Sequence, residues 1–127
     1  MSKTLLIIED NEHNFYMMRF LLENKGFTVI GAENGRKGID EALRHKPEAI
    51  LLDIQLPEMD GYAVAAELKK HALLADVPII SVTSYAMVGD KERILASGAT
   101  GYIEKPIDPE TFVEEVIAYL RKDGEET

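Results

Sequence analysis

The chain contains no cysteine. Disulfides, thiolate metal sites and cysteine nucleophiles are therefore excluded, and stability rests on the core. No apolar run approaches the roughly 20 residues of a membrane span. The N-terminus lacks the basic and apolar regions of a signal peptide. These absences lead to the expectation of a soluble cytoplasmic protein. Positive charge is scarce, with 14 Lys and Arg against 23 Asp and Glu and a formal net charge of −9 at pH 7. Such a chain is poorly suited to holding a polyanion such as DNA, and no predicted helix gathers basic residues to compensate. The phosphate loops G-x-x-x-x-G-K-[ST] and G-x-G-x-x-G are absent. No serine, histidine and acid set suggests a hydrolase. His13, His45 and His71 fall on different predicted helices and form no metal site.

What is present is ample apolar material. The chain has 127 residues, 46% of them hydrophobic, which fits one domain with one core. Apolar runs and helical patterns alternate five times. Strands are read near Thr4–Glu9, Thr28–Ala32, Ala49–Asp53, Val77–Thr83 and Gly101–Glu104. Helices are read near Glu12–Lys25, Arg36–His45, Gly61–His71, Met87–Ser97 and Pro109–Lys122. The first, third and fourth strands are nearly continuous apolar runs, as expected when helices cover both faces. Repeated βα units call for a doubly wound α/β fold with a parallel sheet and right-handed crossovers. Gly26 is a candidate left-handed cap after the first helix. Pro47 and Gly98 stop the second and fourth helices. Asp108 and Pro109 open the fifth as N-cap and first helical residue.

Charged residues gather where apolar runs end. Glu9 and Asp10 follow the first strand, Asp53 ends the third, Lys105 follows the fifth, and Asp60 trails the third. In open parallel sheets, ligands bind beyond the carboxyl ends of the strands. Residues distant in sequence are thereby compatible with closeness in space. Oxygen ligands suit a hard cation, and Mg2+ takes one or two carboxylates, waters and phosphate oxygens. Asp10 and Asp53 are expected as direct ligands, Glu9 as a ligand through water, and the Gln55 backbone carbonyl as a further one. A carboxylate attacking a phosphate faces repulsion between two anions, which a bridging cation removes. Lys105 can pair with one phosphoryl oxygen, and the Thr83 hydroxyl can donate to another. Lys105-Pro106 is a candidate cis peptide. Asn11 is read as a helix cap.

These residues resemble a known family. Glu9-Asp10-Asn11, Asp53-x-x-x-Pro57-x-Met59-Asp60-Gly61, Thr83-Ser84, Gly98-Ala99 and Lys105-Pro106 look like the receiver domain of two-component response regulators. The resemblance covers essentially the whole chain, residues 1–127 as a single receiver domain. It is nearest to stand-alone, DivK-type receivers through Ile8–Glu12, Leu52–Glu58 and Met87–Arg93, and it extends to receivers inside hybrid kinases. A start at methionine and an end after the fifth helix favour a stand-alone protein. The resemblance implies a flavodoxin-like (CheY-like) sheet in the order 2-1-3-4-5. It implies Asp53 as phosphoacceptor, Glu9 and Asp10 at Mg2+, and Thr83 and Lys105 as switch and phosphate-binding residues. It also implies that Tyr102 rotates inward as Thr83 moves, reshaping the face of helix four, strand five and helix five. A histidine kinase or phosphotransfer protein would supply the phosphoryl group. The chain would turn over its own phosphoryl group and have no conventional substrate.

Further expectations concern single side chains. Ser84 is small enough to admit the phosphoryl group, and Tyr85 is placed over the site. On the first helix Phe15, Met18 and Leu22 share a core face. Met17 and Phe20 are read as pointing outward, either as scattered surface residues or as a docking stripe for a kinase. Two rival functions are compatible with the fold class. One is a flavodoxin-like electron carrier, disfavoured because Glu9-Asp10-Asn11-Glu12 would repel a flavin phosphate. The other is an interaction module that is never phosphorylated, disfavoured by the full acidic set.

Overall fold

The apolar runs read as doubly covered become the three central strands. The computed structural model describes residues 3–56, 58–84 and 88–120. Its elements are β1 (Thr4–Ile8), α1 (Glu12–Asn24), β2 (Thr28–Ala32), α2 (Gly35–His45), β3 (Ala49–Asp53), α3 (Gly61–Lys70), β4 (Ile79–Thr83), α4 (Val88–Ala96), β5 (Gly101–Glu104) and α5 (Phe112–Leu120). The five strands are parallel in the order β2-β1-β3-β4-β5. Every residue of β3 and β4 is buried, whereas the edge strands β2 and β5 are partly exposed.

Strand alternation divides the core into two layers. Leu6, Ile8, Ile50 and Leu52 face α2, α3 and α4 through Ile39, Val64 and Ile94. Leu5, Ile7, Ile80 and Val82 face α1 and α5 through Met18, Leu22, Phe112 and Val116. Phe15 is half-buried, with its ring over Gly31 of β2, where a Cβ would overlap it.

Helix ends follow local chemistry. The Asn11, Asn34 and Asp60 side chains accept from the backbone N–H of Asn14, Lys37 and Ala63, at 2.9, 2.9 and 2.8 Å. Each such cap is worth about 1 kcal/mol. Asn11 thus caps α1, and Asp60 serves as the cap of α3. Gly26, at φ 103°, closes α1: its N–H donates to Glu23 O and that of Phe27 to Leu22 O. Gly98, at φ 109°, follows α4, its N–H donating to Leu95 O at 3.2 Å. Lys46 adopts φ 49° ahead of Pro47, which ends α2.

Several boundaries differ from the sequence reading. The strand expected from Val77 begins at Ile79, because the Val77 N–H is committed to Leu74 O in a 3-10 turn over Ala72–Leu74 and Pro78 has no N–H. The fifth helix begins at Phe112 and not at Pro109. The Asp108 carboxylate first accepts from Glu110 N at 3.0 Å, and its carbonyl takes the N–H of Thr111 and Phe112, so a turn precedes the helix. The expected start at Met87 and the continuation to Lys122 lie outside the described residues.

Gly61 fixes the approach of α3 to the sheet. Its N–H donates to Ile54 O at 2.9 Å, and a Cβ would lie 2.5 Å from Ile54 Cα and 2.7 Å from Asp53 O. Those neighbours are backbone and cannot turn aside. Gly61→Ala is expected to destabilise the protein by about 3 kcal/mol, measured as a lowered urea midpoint. An unchanged midpoint would show that the 53–54 backbone has room to yield.

Candidate functional site

A parallel sheet sends all its C-terminal strand ends to one rim, and the chemistry-bearing residues sit there. Asp53 is the last residue of β3 and Thr83 the last of β4. Glu9 follows β1, and its N–H still bonds to Ala32 O at 3.0 Å, which fixes its backbone. Lys105 follows β5, with its N–H on Thr83 O at 2.8 Å and a cis bond to Pro106.

These ends bring the predicted carboxylates together. Oxygens of Glu9, Asp10 and Asp53 all lie within 4.8 Å of one another. The Lys105 ammonium stands 3.1 Å from Glu9 Oε1 and 3.4 Å from Asp53 Oδ2. Glu9 and Asp53 are buried, with side chains 1% and 3% exposed, while Asp10 is exposed. Backbone amides assist: Gln55 N–H donates to Asp53 Oδ1 at 3.0 Å and Asn11 N–H to Glu9 Oε2 at 3.2 Å. The Ser84 hydroxyl donates to Gln55 Oε1 at 2.8 Å, tying the β3–α3 loop to the end of β4. Thr83 is fully buried beside Asp53, whose register partner is Val82. Asp60, counted with these carboxylates from the sequence, stands apart as the cap of α3.

Three carboxylates against one ammonium leave the rim negative. Glu9 Oε1 makes no hydrogen bond of good geometry, so the nearby ammonium is its main compensation. Burial first, then the Asp53 charge, push the Glu9 carboxyl from 4.5 up to about 7, with Lys105 acting in the opposite direction. An all-oxygen set with excess negative charge matches a hard dication, so these residues fit Mg2+.

The raised Glu9 value has a consequence for stability. A carboxyl whose value is higher when folded binds more protons in the native state. Its contribution is full below pH 4.5 and is lost as pH rises toward about 7. In EDTA, unfolding free energy is expected to fall from pH 5 to 7.5 by up to about 1.4 kcal/mol per pH unit. Glu9→Gln should flatten that slope in urea titrations; an unaltered slope would assign it to another group.

Other expectations fare differently. Tyr102 is half-buried, with Lys91 Nζ of α4 5.5 Å from its ring centroid. Phe20 is exposed, but Met17 is half-buried and packs on the core layer of α1 and α5, so it does not point outward. The exposed aromatic one turn before Phe20 is Tyr16, 62% exposed. The i, i+4 spacing of Tyr16 and Phe20 is the sequence signal that places these two aromatics on one face. Tyr85 lies outside the described residues. His45 pairs with Glu41 at 3.1 Å and His71 lies 3.8 Å from Glu67, away from the carboxylate rim.

Comparison with known proteins identifies the architecture. The response regulator receiver domain model matches residues 5–117. The chain belongs to the response regulator receiver domain family. It is 44% identical to the polar-differentiation response regulator DivK of Brucella anthropi, over 94% of this chain and 98% of that protein. It is similar to the receiver domain of a sensor histidine kinase from Pseudomonas aeruginosa, with a TM-score of 0.86, 29% identity and coverage of 94% and 98%. That structure has a magnesium ion coordinated in its active-site cleft. The fold is also that of the chemotaxis protein CheY4 of Vibrio cholerae, with a TM-score of 0.90, 24% identity and coverage of 94% and 99%. The chain is thus a receiver domain of a two-component response regulator, a family of phosphoacceptor signalling proteins with histidine kinases as partners. The electron-carrier alternative falls with this assignment. No helix among the described residues is long and apolar enough to cross a membrane.

Proposed function

We propose that this chain accepts a phosphoryl group on Asp53 from a phosphohistidine, in a Mg2+-dependent phosphorelay of the cytoplasm, as a single receiver domain. The observation that carries this reading is the convergence of Glu9, Asp10, Asp53 and Lys105 on one rim, with the ammonium 3.1 and 3.4 Å from two buried carboxylates. Asp10 and Asp53 would hold Mg2+, with the Gln55 carbonyl beside them and Glu9 acting through water. Bound there, Mg2+ would neutralise charge shared between acceptor and phosphoryl oxygens. An Asp53 oxygen forms the new bond to phosphorus as the P–N bond of the donor breaks and the imidazole leaves. Lys105 exchanges its carboxylate contacts for a phosphoryl oxygen. Thr83, at the end of β4, donates its hydroxyl to another oxygen and thereby moves toward Asp53. Tyr102 follows, and the face of α4, β5 and α5 changes shape for a downstream protein. A cleft of about 650 Å3 between β5 and α5, lined by Tyr102, Lys105, Glu115 and Tyr119 among others, offers such a partner an address. Hydrolysis of the aspartyl phosphate by the same rim resets the protein, which acts on no other substrate.

Intact mass after incubation with acetyl phosphate tests this directly. Wild type should gain one phosphoryl group with Mg2+ and little without it, and Asp53→Asn should gain none. Phosphorylation of Asp53→Asn to the wild-type extent would move the acceptor elsewhere.

The donor is proposed to dock on α1, where Tyr16 and Phe20 are 62% and 68% exposed one turn apart. Met17 is unsuited as a probe because it packs inward. Replacing both Tyr16 and Phe20 by Glu should slow transfer from a phosphorylated histidine kinase at least tenfold. The rate with acetyl phosphate should stay at the wild-type value. Equal slowing with both donors would refute docking at this stripe.

A further inference from the structure

Edge strands leave alternate backbone groups without a strand to bond. β5 is such an edge, paired with β4 alone in the sheet order. At Tyr102 both outward groups are taken by one side chain of α5. The Tyr119 hydroxyl accepts from Tyr102 N–H at 3.3 Å and donates to Tyr102 C=O at 3.1 Å. A single hydroxyl thus stands where a sixth strand would lie. The ring comes this close because residue 101 is glycine; a Cβ there would overlap the Tyr119 ring.

This contact joins the two layers of the core. The Tyr102 ring packs in the layer of α2, α3 and α4, whereas Tyr119 packs in the layer of α1 and α5. The hydroxyl therefore reaches round the sheet edge from one layer to the other. At its C-terminal end β5 is anchored to the acceptor rim, since Lys105 N–H bonds to Thr83 O at 2.8 Å and the Lys105 ammonium lies 3.4 Å from Asp53 Oδ2. A shift of β5 against α5 would break both Tyr119 hydrogen bonds together.

We propose that Tyr119 is a positioning residue whose hydroxyl couples the β5 backbone at Tyr102 to α5, so that α5 responds to occupancy of the acceptor site. Gly101 is its seat. The proposal rests on the reading of Asp53 as phosphoacceptor. It adds a route to α5 that runs through the backbone of Tyr102 and not through rotation of its ring.

Tyr119→Phe keeps the ring and removes both hydrogen bonds. Amide hydrogen exchange of the whole chain, free and with Mg2+ and beryllofluoride, a mimic of the phosphorylated state, reads the coupling. In wild type, exchange should change at residues 79–83, 101–104 and 112–120. In Tyr119→Phe the change at 79–83 should persist, while that at 112–120 should shrink about fivefold. Gly101→Ala, which displaces the ring, should reproduce the pattern. An undiminished response of α5 in Tyr119→Phe would overturn the proposal, whether or not the bared edge makes the variant dimerise. Loss of the response at 79–83 as well would place the effect in the acceptor site and overturn it too. No response anywhere in wild type would overturn the functional reading and this inference with it.

Discussion

The structure turns on one ammonium set among carboxylates at the rim of a parallel sheet. Glu9 and Asp53 are nearly solvent-free, and isolated charges there would cost several kcal/mol each. Lys105 offsets part of that cost, and backbone amides from Asn11 and Gln55 offset more. The balance is left incomplete, as the Glu9 carboxyl raised to about 7 attests. A site held short of electrostatic satisfaction is one whose free energy changes most when charge is added.

The rest of the fold supplies the precision this site demands. β1, β3 and β4 are buried almost throughout and mostly apolar, and their pairing locks the register of their ends. Register matters because a slip by one residue would turn Asp53 into the opposite layer. Short polar caps start α1, α2 and α3, and left-handed residues follow α1, α2 and α4, so little chain separates the strands from these helices.

Much of this was legible from residue order. Continuous apolar runs announced doubly covered strands, and Gly26, Pro47 and Gly98 marked helix ends through backbone geometry that depends on the local residue. The rim was legible because strand ends in a parallel sheet share one side, so Asp10, Asp53 and Lys105 could be gathered without knowing a distance. What failed depended on competition for hydrogen bonds or on packing angle. The Val77 amide went to a 3-10 turn, which periodicity cannot reveal. Asp108 spent its side chain and carbonyl on a turn before α5 began. Met17 lies close to the boundary between faces of α1, and contact with the α1 and α5 core layer drew it inward, leaving Tyr16 beside Phe20 at the surface. Asp60 has the composition of a ligand but the position of a cap, and the N–H of Ala63 claimed it.

Gly61 seats the start of α3 directly on the main chain that carries Asp53 and Ile54. With no side chain between them, the helix and the β3–α3 loop abut directly. One missing methyl group thus sets how closely α3 can approach the strand end that carries Asp53.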